Sequence, residues 1–326
     1  MLPAFTYVRA RSVSEAATLL AQPGARAHAG GTDLLGCLRD HVFAAEKLVS
    51  LGGIAELRGI QPSADGGLRL GALTTIAEIA ASPLVTERYG ALALAASVVA
   101  SPQLRNQGTI GGNVCQRPRC WYFRGDYDCR RKGGDTCFAI AGDDRYHAIF
   151  GGEGCYVVHP SDTAPALVAL GASIRIQGAK DGRLVTADQF FVGPGADVTR
   201  ETVVKPGELV TEILLPAPRP NTRSTYRKVR ARGAWDFALA GAAVVVSTGK
   251  DGKVELARIV LSGVAPVPWR VTAAEQVLVG HKPDAKVIAQ AAEAAAAKAE
   301  PMGQNAYKVA LVKGVVADAL ETCLRA

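Results

Sequence analysis

The chain has 326 residues, 48% of them hydrophobic, which is long for one core and sets the expectation of two or three domains. No run of about eighteen uncharged apolar residues occurs, and the start, MLPAFTYVRARSVSEAATLL, holds no apolar signal core; neither a membrane span nor an export signal of its own is expected. The net charge of +7 is dispersed among acids except at Arg117, Arg119, Arg124, Arg130, Arg131 and Lys132, which argues against a nucleic-acid partner.

Phe5 to Arg9 reads as a short strand, and Ser12-x-x-Glu15 as a capping box opening a helix to about Ala21. Residues 25–35, ARAHAGGTDLL, run from a strand through two glycines into another helical pattern. Glycines at such a turn let backbone N–H groups approach phosphate, so Gly30, Gly31, Thr32 and Asp33 are candidates for holding a pyrophosphate, with an ordinary tight turn as the competing use. Lys47 to Leu51 and Leu68 to Ala72 read as strands, Thr75-x-x-Glu78 caps a helix that Pro83 ends, and Ala91 to Ala100 is a buried small-residue helix. It leads to RNQGTIGGN at 105–113, a second glycine turn of similar chemistry. Two such turns suit a dinucleotide pyrophosphate.

Residues 108–162 then gather five of the seven cysteines, Cys115, Cys120, Cys129, Cys137 and Cys155, in polar, glycine-bearing loops too poor in apolar periodicity to stabilise themselves. Irregularly spaced thiolates point to a metal or metal-sulfur cluster, and the basic group among them would offset an anionic cluster. Zinc is a competing use, usually with tight Cys-x-x-Cys pairs that are absent here, and disulfides are a third. Cys37 and Cys323 lie in helical patterns and the five histidines are too scattered to suggest a metal site.

Tyr156 to His159 reads as a strand, Ser161 to Leu170 as a helix with Asp162 as its cap or as a ligand contact, and Ser173 to Ile176 and Leu209 to Leu215 as strands. Pro216 to Pro220 marks a linker. Beyond it, strands at Thr225 to Arg230, Ala242 to Ser247 and Val254 to Ser262, the last two joined by a hairpin, precede helices near Thr272 to Val279, Ala285 to Ala297 and Asn305 to Leu324. Strands then helices imply an α+β domain of its own.

Four motifs in order, AGGTD at 29–33, RNQGTIGGN at 105–113, HPSD at 159–162 and YRK at 226–228, resemble the FAD-binding medium subunits of molybdenum hydroxylases, the family of xanthine dehydrogenase, carbon monoxide dehydrogenase and aldehyde oxidoreductase complexes. The resemblance implies an α+β fold: a two-lobed FAD-binding domain of the vanillyl-alcohol-oxidase type over residues 1–218, then a smaller α+β domain over 222–326. It implies that Arg26, Ala27, His28, Ala29, Gly30, Gly31, Thr32, Asp33 and Leu34, with Gly108, Thr109, Gly111, Gly112 and Asn113, wrap the FAD pyrophosphate. Asp162 then contacts FAD and Lys228 lies near the flavin. The insertion at 114–156 is similar to that of [4Fe-4S]-bearing flavin subunits, most of all the periplasmic aldehyde oxidoreductases of the PaoABC type. By that pattern Cys120, Cys129, Cys137 and Cys155 ligate the cluster and Cys115 is surplus.

The expectation is thus an electron-transfer subunit with FAD and one [4Fe-4S] cluster, in a heterotrimer, or its dimer, with a small [2Fe-2S] subunit and a large molybdenum-cofactor subunit. The large partner oxidises an aldehyde, and electrons reach FAD and an external acceptor other than NAD; no catalytic residue for substrate chemistry is expected in this chain. Alternatives are a subunit of a 4-hydroxybenzoyl-CoA reductase-like or xanthine dehydrogenase-like complex, and a thiol-stapled binding module without iron or flavin. The expected location is the cytoplasm, or the periplasm by co-export with a partner bearing a twin-arginine signal.

Overall fold

The computed structural model describes residues 1–233 and 235–325. The first lobe is built on three parallel strands, β1 (Thr6–Arg9), β2 (Ala25–His28) and β3 (Lys47–Ser50), in the order β1-β3-β2. The helix Val13–Leu20 covers them, burying Val13, Ala16, Ala17 and Leu20, one stripe at helical spacing. Ser12 caps it by accepting the Glu15 N–H at 3.2 Å, but the Glu15 carboxylate turns to the Arg11 N–H, so only half of the expected capping box forms.

The second lobe carries an antiparallel sheet of β4 (Ile60–Pro62), β5 (Leu68–Gly71), β6 (Ser173–Gln177), β7 (Gly182–Thr186) and β8 (Leu209–Leu215), ordered β4-β5-β8-β6-β7. The Thr75 capping box is complete. Pro83 not only follows the end of helix Ile76–Ala81 but opens the next, Pro83–Thr86, since its fixed φ and missing N–H suit a first helical position. Helix Thr163–Leu170 buries all eight residues, because it lies between helix Gly90–Ser97 and the sheet of the C-terminal domain.

That last sheet, antiparallel, orders β9 (Thr222–Val229), β10 (Ala240–Thr248), β11 (Val254–Ser262) and β12 (Trp269–Arg270) as β12-β11-β10-β9. Strand β10 is buried on both faces: Ala243 and Val245 join the core of the second lobe, whereas Ala242, Val244 and Val246 join that of the C-terminal helices. The two-residue period of the strand thus ties both cores together.

The cysteine-bearing segment has little regular structure. Tyr156 to His159, expected as a strand, forms none: its bonds come singly, Ala148 N–H to Tyr156 O and His159 N–H to Ala265 O, without the successive pairs of a ladder. The C-terminal domain clamps the segment instead. Asn305 Nδ2 donates to the carbonyls of His147 and Ala148, the Asp144 carboxylate accepts the N–H groups of Gly303 and Gln304, and buried Lys308 Nζ donates to Tyr146 O (2.9 Å) and Gly263 O (2.7 Å).

Burial pushes the Lys308 ammonium down to about 7. The unfolded chain then binds one more proton than the folded one between pH 7 and the ordinary lysine range, so this group makes stability rise with pH there. Relative to Lys308→Met, the native chain is expected to gain about 2 kcal/mol from pH 7 to pH 9; urea midpoints of both proteins at the two pH values check it, and a pH-independent gap contradicts it.

Candidate functional site

The two glycine-rich segments meet in space. A Cβ on Gly30 would sit 1.9 Å from the Gln107 carbonyl oxygen, so the approach requires glycine. Beside them opens a cleft of about 640 Å³, within the range of cofactor sites. It is lined by Arg26, Ala27, Ala29, Gly30, Gly31, Thr32, Asp33 and Leu34, by Gly108, Thr109, Gly111, Gly112 and Asn113, and by Asp162 and Lys228. His28, expected among them, does not line it; its ring packs edge-on to Tyr7 at 5.8 Å instead.

The two segments differ in what their backbone offers. Among the described residues, the N–H groups of Gly30, Gly31, Thr32 and Asp33 donate to no group of the protein. Segment 108–113, expected as a second open turn, instead carries Thr109 as N-cap of a short helix, Ile110–Val114. Most of its amides are taken, Gly108 by Leu104 O, Ile110 by Thr74 O, Gly111 by Ala72 O, Gly112 by Thr109 Oγ1 and Asn113 by Thr109 O, whereas among the described residues the Thr109 N–H donates to no group of the protein. The cleft thus has one open amide turn, the cradle, and, in place of the expected second turn, the start of a short helix at Thr109.

Asp33 lines the cleft, yet its carboxylate is held elsewhere. Oδ1 lies 2.7 Å from Arg124 Nη2 and 2.9 Å from Arg119 Nη2, and Oδ2 accepts the Arg117 N–H at 2.8 Å. It therefore latches the cysteine segment to the cradle. Asp162 sits at the N-terminus of helix Thr163–Leu170 without capping it; Ser161 Oγ accepts the Ala164 N–H instead. The buried Asp162 carboxylate accepts from Lys228 Nζ at 2.7 Å and from Tyr226 Oη at 2.8 Å. Burial raises its pKa against the pull of Lys228. Removing either Asp162 or Lys228 would leave the other's charge buried and uncompensated. At the mouth of the cleft are two residues that gave no signal in the sequence, the exposed Trp235 and Phe237, with the Arg119 guanidinium 5.2 Å from the Phe237 ring.

Cys120, Cys129, Cys137 and Cys155 line a second cavity together with Tyr122, Phe138 and His147. All four are free thiols. Burial pushes the Cys120 thiol up to about 11 and raises Cys155, the latter opposed by Arg131; each must lose its proton to bind metal. Cys115 stands apart: it lines the larger cleft, and burial pushes it up to about 12. Of the expected cations, Arg130 and Arg131 line the thiol cavity, whereas Arg117, Arg119 and Arg124 turn to Asp33 and Glu201. His147, set aside from the sequence, has Nε2 3.2 Å from Cys120 Sγ.

By residue type the four thiols are the donor set a Cys₄ cluster would use. Tetrahedral zinc draws its thiolates to about 2.3 Å from one point, and among the described residues no three His, Cys, Asp or Glu groups come close enough to share one ion. A cubane spreads its ligands over four irons. The cavity measures about 20 Å³, near the room one water needs, so a cubane requires the four side chains to turn outward.

Two family models cover the chain: "FAD binding domain in molybdopterin dehydrogenase" matches residues 3–218 and "CO dehydrogenase flavoprotein C-terminal domain" residues 224–323. The chain is 37% identical to the aldehyde oxidoreductase FAD-binding subunit PaoB of Escherichia coli over 98% of both chains, and 32% identical to the carbon monoxide dehydrogenase medium chain of Hydrogenophaga pseudoflava over 98% of this chain and 96% of that one. Among solved structures it resembles carbon monoxide dehydrogenase from Hydrogenophaga pseudoflava, with a TM-score of 0.79 at 30% identity over 100% of this chain and 99% of that one. A cleft with an open amide cradle, on this fold and with both domain matches, leads to one assignment: the chain belongs to the FAD-binding subunit family of the molybdopterin dehydrogenases, the flavoprotein subunits of molybdenum-hydroxylase oxidoreductases.

Proposed function

We propose that this chain is the FAD- and [4Fe-4S]-bearing electron-transfer subunit of a molybdenum aldehyde oxidoreductase. It would assemble with a large molybdenum-cofactor subunit and a small [2Fe-2S] subunit and pass electrons to an external acceptor. The observation that carries the cluster is the convergence of Cys120, Cys129, Cys137 and Cys155 on one cavity; the aldehyde assignment rests on the 37% identity to an aldehyde oxidoreductase subunit.

In this reading the N–H groups of Gly30, Gly31, Thr32 and Asp33 bind the FAD pyrophosphate, since unpartnered amides at a strand-to-helix turn favour anions. Arg26 adds a cation at the same wall. Thr109 and Asn113 contribute side chains from the helical wall, and the Asp162–Lys228 pair presents a hydrogen-bonded polar surface. Bound FAD supplies a ring that takes up two electrons and releases them to acceptors of either one or two. The chain's own part is to bind, orient and desolvate it.

Co-expressed with its two partner subunits, the chain is expected to purify with one FAD and about four irons, and an aldehyde should bleach the flavin absorbance. FAD without iron ends the cluster assignment. A complex that no aldehyde reduces, but that an aryl-CoA thioester reoxidises, transfers the chain to the reductase alternative.

A further inference from the structure

Glu201, a buried carboxylate that no motif in the sequence signals, lines the cleft on the side of the thiol cavity, which it reaches through Arg131. Its Oε1 accepts from Arg131 Nε at 3.0 Å and lies 2.9 Å from Arg131 Nη2. Its Oε2 lies 2.8 Å from Arg117 Nε. The two arginines face different sites: Arg131 Nη1 is 3.9 Å from Cys155 Sγ, whereas Arg117 lines the cleft. The loop that carries Glu201 completes the bracket, for Arg131 also donates to Val198 O (2.7 Å) and Arg200 O (3.1 Å), and Arg117 to Thr199 O (3.4 Å). The Glu201 backbone is itself fixed by the Val192 N–H at 3.0 Å.

We infer that Glu201 is a positioning residue that couples the two redox sites, holding one guanidinium at the thiol cavity and another at the cleft with a single shared negative charge. The inference rests on the proposed reading of both sites. Its physical basis is that one carboxylate sets the net charge of a buried array that reaches both sites. In a low-dielectric interior, removing that charge leaves two cations whose field favours the reduced, more negative form at each site. Removing a cation does the opposite.

The test uses the assembled complex. Glu201→Gln keeps the shape and loses the charge, so the midpoint potentials of flavin and cluster are both expected to rise, with iron and FAD contents unchanged; Glu201→Asp restores both. Arg131→Gln, which leaves the carboxylate one cation short, is expected to lower both, and supplies the same answer should Glu201→Gln fail to accumulate. Potentials are read by dye-equilibrated titration of flavin absorbance and of the reduced cluster's magnetic resonance signal. A cluster shift with an unmoved flavin in either variant overturns the coupling while leaving the proposed function intact. A native complex that carries FAD but no iron overturns the cluster assignment and the coupling with it.

Discussion

Gly30→Ala is expected to yield a folded protein that has lost most of its flavin. The methyl group would meet the Gln107 carbonyl oxygen at 1.9 Å and its carbon at 2.7 Å. Both are backbone atoms, which cannot rotate aside as the end of a side chain can. The cradle and segment 104–108 must therefore separate, and the amides of Gly30 to Asp33 move with the cradle. Because four donors shift together, FAD binding should weaken at least tenfold, about 1.4 kcal/mol or more, whereas the lobe cores lie elsewhere and hold the fold. Gly112→Ala is the control: its Cβ meets only Thr109 Oγ1, at 3.1 Å, and its amide is already taken, so FAD should be largely retained. A bulky Gly112→Leu, by contrast, would reach into the cleft and lower FAD occupancy by filling it. Flavin released by acid from the three purified variants and quantified by its fluorescence, per chain, checks all of this. Full flavin in Gly30→Ala, or equal loss in Gly112→Ala, contradicts the assignment of roles.

What was legible in the sequence is what local chemistry determines. Alternation announced β8 and β11, the Thr75 box announced its helix, and the glycine pairs announced a cleft before any coordinates. The short strands β4, β7 and β12 were missed, since two to five residues carry too little pattern to stand out and their existence depends on neighbours supplied by distant chain. The misreading of 108–113 has the same root. Two glycines look like a turn, but Thr109 caps, and Ala72 and Thr74 accept the amides of Gly111 and Ile110, so tertiary partners turn a flexible dipeptide into a helix start. The partners of Asp33 and Glu201 lay further out of reach. Nothing in a linear reading says that the arginines at 117, 119 and 124 will cross to an aspartate more than eighty positions earlier, or that a lone glutamate at 201 will receive Arg131.

Cys129→Ser is expected to remove the iron and leave the flavin. Cys129 is buried and lines the thiol cavity with Cys120, Cys137 and Cys155. An alcohol is a far weaker iron ligand than a thiolate at neutral pH, because it holds its proton where a thiol bound to metal releases it. With three thiolates left, the iron content should fall from about four per chain toward zero. The flavin should persist because the amide cradle belongs to a different part of the chain, tied to the cysteine segment through Asp33 and the arginines at 117, 119 and 124 rather than through any thiol. The segment itself should keep its anchorage, since Asn305, Lys308 and Asp144 fasten residues 144–148 to the C-terminal domain without metal. An iron assay beside a visible spectrum separates the outcomes. Iron lost with flavin retained assigns Cys129 to the cluster. Flavin lost together with iron shows instead that the cluster, and not the arginine latch, holds the cradle shut. Iron unchanged in the variant removes Cys129 from the ligand set and with it the four-thiolate cavity as the cluster site.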